Sequence, residues 1–175
     1  MALMALPPAE PPRPPGNSGL TLLELVICVA VLAVLGVMAL PGVGAQMDRQ
    51  RLRHAARSLA ADITEARFLA AQHGQPVYVQ VRDGSPWCWS VALESGCDCS
   101  SPGTCGVHRV GSGDHAGVQL IGALDLRVES TGAVAAAAAT TLVSARGERL
   151  RVEVLLQGRA RICAPGGGDP QWPAC

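Results

Sequence analysis

The densest concentration of one chemistry in this 175-residue chain lies near its end, in Arg146-Gly147-Glu148-Arg149-Leu150-Arg151 and Gln157-Gly158-Arg159-Ala160-Arg161-Ile162-Cys163. Residues 146–163 hold five Arg against two Glu, whereas the whole chain balances 14 basic with 14 acidic residues. All of the basic residues are Arg. A guanidinium is planar and always charged, and its fork of donors matches the oxygens of a phosphate. Side chains alternate along a strand, so Arg149 and Arg151 share one face, as do Arg159 and Arg161. A turn at Gln157-Gly158 brings the four together, and phosphate binding by such a set releases counterions and weakens with salt. The plainer uses of the same residues are a solvated strand face or contacts with other subunits.

Cysteine is the second candidate chemistry. Cys88, Cys97, Cys99 and Cys105 crowd a Gly/Ser-rich loop over 88–105, with His108 and His115 nearby, and Cys163 and Cys175 bracket a Pro/Gly-rich tail over 163–175. Zinc and disulfides both use such residues. Cys97-Asp98-Cys99 leaves one intervening residue where zinc ligand pairs have two or more, so no metal is expected. As disulfides the six would fit up to three bridges, with Cys163 to Cys175 as the leading pair, and free thiols are the remaining alternative. His54, His73, His108 and His115 show no Ser or Cys nucleophile arranged with a carboxylate and read as scattered exposed residues. No His-Glu-x-x-His and no phosphate-cradling Gly loop is present. Neither catalysis nor a cofactor is expected.

A third feature is a carboxylate in an apolar setting. Hydrophobic residues make up 49% of the chain and charged residues 16%. Much of the apolar share is packed into 20–40, where Glu24 is the one ionisable group besides the thiol of Cys28, an inert small hydrophobe in this setting. A helix of that length covers ~31 Å, about one hydrocarbon thickness. A cleaved secretory signal is the alternative, with Val43-Gly44-Ala45 as its cutting site. The run is too long for one, its N-terminal flank carries a single basic residue, Arg13, and a charged side chain in a span costs at least ~2.5–3.5 kcal/mol near its centre. Such a carboxylate needs a partner and a role. Aromatics are only 3% of the chain, too few for a rich core. This composition excludes a disordered tail, a coiled coil, a histone-like basic binder and a polytopic transporter.

These groups must be positioned by recognisable elements. A kink or local unwinding is expected at Pro41-Gly42. Over 42–73 Leu52, Ala56, Leu59, Ile63, Ala66 and Leu69 recur at helical spacing, while Arg49, Arg53, Arg57, Asp62 and Glu65 mostly fall elsewhere. Gly74 and Pro76 stop that helix. Short alternating runs follow at 77–81, 87–93, 118–121, 126–128, 141–143, 150–154 and 160–163, separated by Gly turns. Trp87, Trp89, Val91 and Leu93 share a face and read as core, with base stacking as the rival use. The Ala-rich 133–139 reads as a loop or weak strand. One long helix and several antiparallel strands make an α+β head over 74–175.

The stretch Gly19-Leu20-Thr21-Leu22-Leu23-Glu24-Leu25-Val26, continuing apolar to Pro41, resembles the N-terminus of type IV pilins and type II secretion pseudopilins. The resemblance implies a leader over 1–19, or from Met4 if translation begins there, removed by a prepilin peptidase that also N-methylates Leu20. It implies a transmembrane half-helix over 20–41, a head in the periplasm, and Glu24 as the assembly carboxylate. Partners would be other pilins, the peptidase/N-methyltransferase, the inner-membrane assembly platform and membrane lipid. Arg49, Arg51, Arg53 and Arg57 against Arg13 would by charge bias place the C-terminal side in the cytoplasm. The processing motif implies the opposite, with those Arg on a solvated periplasmic face, and in an exported head the cysteines are expected in disulfides.

Gly158-Arg159-Ala160-Arg161, together with Glu65-Ala66-Arg67 at the end of the helix, resembles the GspH/FimT group of minor pilins and pseudopilins. That likeness implies one of two roles. The first is a structural subunit of a type II secretion pseudopilus or type IV pilus. The second is DNA binding during uptake, through Arg159 and Arg161 with help from Arg149 and Arg151.

Overall fold

The structure, a computed structural model, describes residues 21–101, 106–167 and 169–175, without the side chains of 37–43. The expected leader, its cutting site at Gly19 and Leu20, and Cys105 lie outside the described residues. The chain divides into two compact units between Leu40 and Pro41. Helix α1, Leu22–His73, has a portion in each.

In the first unit Thr21 caps the helix, its hydroxyl accepting the Glu24 N–H at 3.3 Å. Glu24 lies in the first turn, where a negative charge suits the helix dipole. Every described side chain over 22–36 is exposed, among them Leu22, Ile27 and Leu32. Among the described residues no helix is long and apolar enough to cross a membrane. The helix is continuous through Pro41 and Gly42, so the expected unwinding does not occur. Proline withholds a single amide, and neighbouring turns retain their own bonds.

In the second unit α1 turns an alanine-rich face inward, with Leu52, Ala55, Ala56, Leu59, Ile63, Ala66 and Ala70 all buried. The strands are β1 (Val77–Arg82), β2 (Cys88–Ala92), β3 (His108–Gly111), β4 (Val118–Ile121), β5 (Leu124–Val128), β6 (Ala138–Ser144), β7 (Arg149–Val154) and β8 (Ala160–Cys163). They form two four-stranded sheets of order β3-β2-β1-β5 and β4-β6-β7-β8. All pairings are antiparallel, with Val81 opposite Trp89, Val79 opposite Leu126 and Leu142 opposite Leu150. Inward residues of both sheets, including Val79, Val81, Leu126, Leu142 and Val152, join the helix in one core. The fold is α+β, a helix packed on antiparallel sheet. Strand β3 goes unseen in the sequence because His108 and Arg109 are exposed and break any apolar alternation. The end of the alanine run joins β6, and Val134 bridges Val128.

Trp87 and Trp89 are buried and stacked, with ring centroids 5.3 Å apart, which removes them from any base-stacking surface. Leu93 departs from that face. It lies past the end of β2 and is 44% exposed. Asp62, expected on the solvent side, is buried and accepts the Trp89 Nε1–H at 2.6 Å. Burial raises its carboxyl above the usual range, which the Trp89 bond and the facing His108 only partly offset.

Of the four arginines at 49, 51, 53 and 57 of the helix, three are engaged by the head rather than simply solvated. Arg49 reaches Glu148 at 2.6 Å, Arg53 makes a forked pair with Asp169 at 2.9–3.0 Å, and the Arg57 guanidinium lies 5.5 Å from the Trp172 ring centre. Burial pushes the Asp169 carboxyl up, but the Gln171 N–H and the Arg53 fork outweigh it and hold the group below the usual range. Disulfides join Cys88 to Cys99 and Cys163 to Cys175, and Cys97 is also disulfide-bonded. The second bridge closes the tail against the end of β8. Cys28 is a free, exposed thiol.

The histidines are not uniformly exposed. His115 is buried, stacked on Trp89 with ring centroids 5.7 Å apart and tilted against His54 at 5.3 Å. Burial, then the neighbouring His54, holds it below the usual histidine range, against the pull of Asp114 and Asp62. Its folded pKa lies below the unfolded one, so its contribution is present above the ordinary histidine pKa and lost as pH falls through that value. Asp62 acts in the opposite sense, because its raised pKa adds stability as pH falls through the folded value. We predict that the urea midpoint of the wild type falls more than that of His115→Phe between about pH 7.5 and pH 5.5. Equal falls would contradict this.

Candidate functional site at the arginine hairpin

Strands β7 and β8 form a hairpin closed by a tight turn over 155–158. The Gly158 N–H donates to Leu155 O at 2.7 Å, and the Leu155 N–H to Arg159 O at 3.0 Å. Gly158 takes a left-handed φ of 72°, the conformation that such a turn followed by a bulge demands of its last residue. The register sets Glu153 opposite Arg161 and Arg151 opposite Cys163, on the outward face of the sheet.

The four sequence-predicted arginines therefore divide into two pairs. Arg151 and Arg161 both turn onto Glu153, at 3.4 and 2.8 Å, and one carboxylate is shared between two guanidiniums. Arg149 and Arg159 are exposed and make no ion pair among the described residues. The hairpin thus brings Arg151 and Arg161 together on Glu153 but leaves Arg149 at the start of β7 and Arg159 at the turn, at opposite ends of the hairpin. Sequence reasoning passed over Glu153 because it lies on the strand between the two Arg groups. Its position two residues from Arg151 was the available signal.

A second group missed as a site residue is Arg67. Its Nε–H donates to the Gly132 carbonyl at 3.2 Å, in a turn closed by the Gly132 N–H to Glu129 O bond at 2.7 Å. Gly158 packs onto the same spot. A methyl group on it would run into Gly132 O and would lie 3.2 Å from both Cδ and Nε of Arg67. Two turns and the helix end therefore meet where only glycine fits.

Glu153, Cys163 and Cys175 are the one metal-like grouping among the described residues, but the two sulfurs are bonded to each other. No free thiolate is left there for a metal. Glu24 belongs to the other unit.

A family model for the type II transport protein GspH matches residues 55–158, and one for the prokaryotic N-terminal methylation motif matches 15–40. The chain belongs to the GspH family. The GspH match ends at Gly158, directly before Arg159. The Pseudomonas aeruginosa type IV minor pilin FimU is similar in structure in two crystal forms. One, in space group P21, gives a TM-score of 0.52 at 17% identity over 71% of this chain and 96% of FimU. The other, in P65, gives 0.50 at 16% identity over 69% and 98%. At such identity the likeness shows a shared fold. No curated protein matches the chain.

Gly158→Ala places a side chain at positive φ against the Gly132 carbonyl. We expect it to lower head stability by about 2–3 kcal/mol in urea titrations, more than the ~1 kcal/mol that left-handed strain alone would cost. A loss below ~0.5 kcal/mol would show that the turn relaxes freely.

Proposed function

We propose that this GspH-family chain is a structural subunit of a type II secretion pseudopilus or type IV pilus. In this reading it is cut after Gly19, N-methylated on Leu20, and anchored in the inner membrane by 20–40 with its head in the periplasm. Its partners are other pilins, the prepilin peptidase/N-methyltransferase, the assembly platform and lipid. It is a building block rather than a catalyst.

The observation that carries this reading is Glu24, a lone carboxylate in the first turn of a helix whose described neighbours are apolar and exposed. That surface requires cover, and the carboxylate requires a cation. Removal of the leader creates a cation at the Leu20 amine, four residues away. Between stacked subunits, carboxylate and amine neutralise each other in a low-dielectric setting. The match to the methylation motif over 15–40 supports the same processing. Glu24→Ala should leave membrane-inserted protein but reduce its recovery in sheared filaments at least tenfold, with Glu24→Gln equally defective. Normal incorporation of Glu24→Ala would refute the role.

A second reading, DNA binding during uptake, is favoured by one observation. Arg149 and Arg159 are exposed and unneutralised on the hairpin. Phosphate contacts by these side chains, with Arg151 and Arg161 released from or shared with Glu153, would give salt-sensitive, sequence-independent binding. Full-length protein in detergent should bind a short fluorescent duplex at low salt, and Arg149→Ala/Arg159→Ala should bind at least tenfold more weakly. No binding at low salt, or no effect of the double substitution, would remove this reading.

A further inference from the structure

Two short sequence features far apart in the chain, Glu65-Ala66-Arg67 and Gly158-Arg159-Ala160-Arg161, meet at one contact. The Arg67 side chain lies beneath Gly158, its Cδ and Nε 3.2 Å from the position of a Cβ there. The same Nε–H bonds the Gly132 carbonyl, and the Val134 N–H donates to Leu156 O at 3.0 Å. The turns over 129–132 and 155–158 are thereby held to each other and to α1. Arg67 is half-buried and makes no ion pair among the described residues, so its guanidinium serves a backbone carbonyl rather than a carboxylate.

From this geometry we infer that Arg67 is a positioning residue for the arginine hairpin, fixing through Gly132 and Gly158 the direction in which Arg159 leaves the turn. The inference rests on the nucleic-acid reading above. Arg159 directly follows the locked glycine, and the Leu155 N–H to Arg159 O bond completes the same turn. An unlocked turn would leave Arg159 charged and exposed but spread over many directions. The entropy of fixing it would then be lost at binding instead of at folding. The helix end thus preorganises a phosphate contact that it does not itself make.

The test measures duplex affinity across a salt series by fluorescence anisotropy, and amide exchange over 155–161, on full-length protein in detergent. Arg67→Ala should weaken binding about fivefold, leave the slope of log K against log salt unchanged, and speed exchange over 155–161 while β2 stays protected. Arg67→Lys keeps the alkyl stem and a donor and should recover most of both, which guards against a variant that merely folds poorly. Arg159→Ala, a direct contact, should reduce the salt slope by about 0.9. A slope change in Arg67→Ala equal to that of Arg159→Ala would make Arg67 a phosphate contact and overturn the positioning role. Unchanged exchange over 155–161 in Arg67→Ala would overturn the lock itself. Absence of duplex binding by the wild type would remove the nucleic-acid reading and the positioning role with it, while the exchange result still decides the lock.

Discussion

The head depends on how closely α1 can approach its sheets. Ala55, Ala56, Ala66 and Ala70 are fully buried on the face of the helix that enters the core, and a side chain ending at Cβ lets backbones pack near each other. This closeness compensates for the scarcity of aromatics, because Val, Ala and Leu interdigitate at native density without large rings. The two buried tryptophans complete the core at one end. There Asp62 and His115 supply a bond partner and a stacking face for them. Once the helix is seated, the polar groups at its rim are placed as well. Arg49 and Arg53 reach Glu148 and Asp169, and Arg67 reaches the two turns beside β7 and β8.

The charge balance of the chain takes on a different meaning in three dimensions. A neutral total with basic clusters at 49–57 and 146–161 looks like two exposed cationic surfaces. Much of that charge is internal to the head. Arg146 pairs with Asp48, Arg49 with Glu148, Arg53 with Asp169, and Arg151 and Arg161 share Glu153. Apart from the part-buried Arg53–Asp169 fork, exposed pairs of this kind contribute little stability each, typically below ~1 kcal/mol. Together they reduce the unneutralised part of the hairpin to Arg149 and Arg159.

The sequence carried the main elements because their signals are local. Heptad-like spacing of Leu52, Ala56, Leu59 and Ile63 marks a helix face wherever it packs, and Gly74 with Pro76 ends it at His73 as expected. Most strands announced themselves by alternation, and β3 failed to because an edge strand with His108 and Arg109 exposed has no apolar period. The pairing of Cys163 with Cys175 was legible from a short intervening loop, whereas the pairing of Cys88 with Cys99 within a crowded loop was not. Asp62 and His115 misread as surface residues because polarity predicts exposure only on average. A buried polar group is decided by whether a distant residue, here Trp89, offers it a bond or a stacking face.

By itself, then, the sequence determined membership in a helix-plus-sheet class, the lone carboxylate at Glu24 and the presence of arginines on a terminal hairpin. Each of these follows from residue type and short-range period. Tertiary structure alone decided which arginines remain unneutralised, why Gly158 must be glycine, and that Arg67 lies under it. The sharing of Glu153 by Arg151 and Arg161 follows from the β7–β8 register, whereas the contacts under Gly158 join residues as far apart as Arg67 and Gly132, 65 positions, which no local pattern encodes. Packing of the alanine face of α1 brings them together.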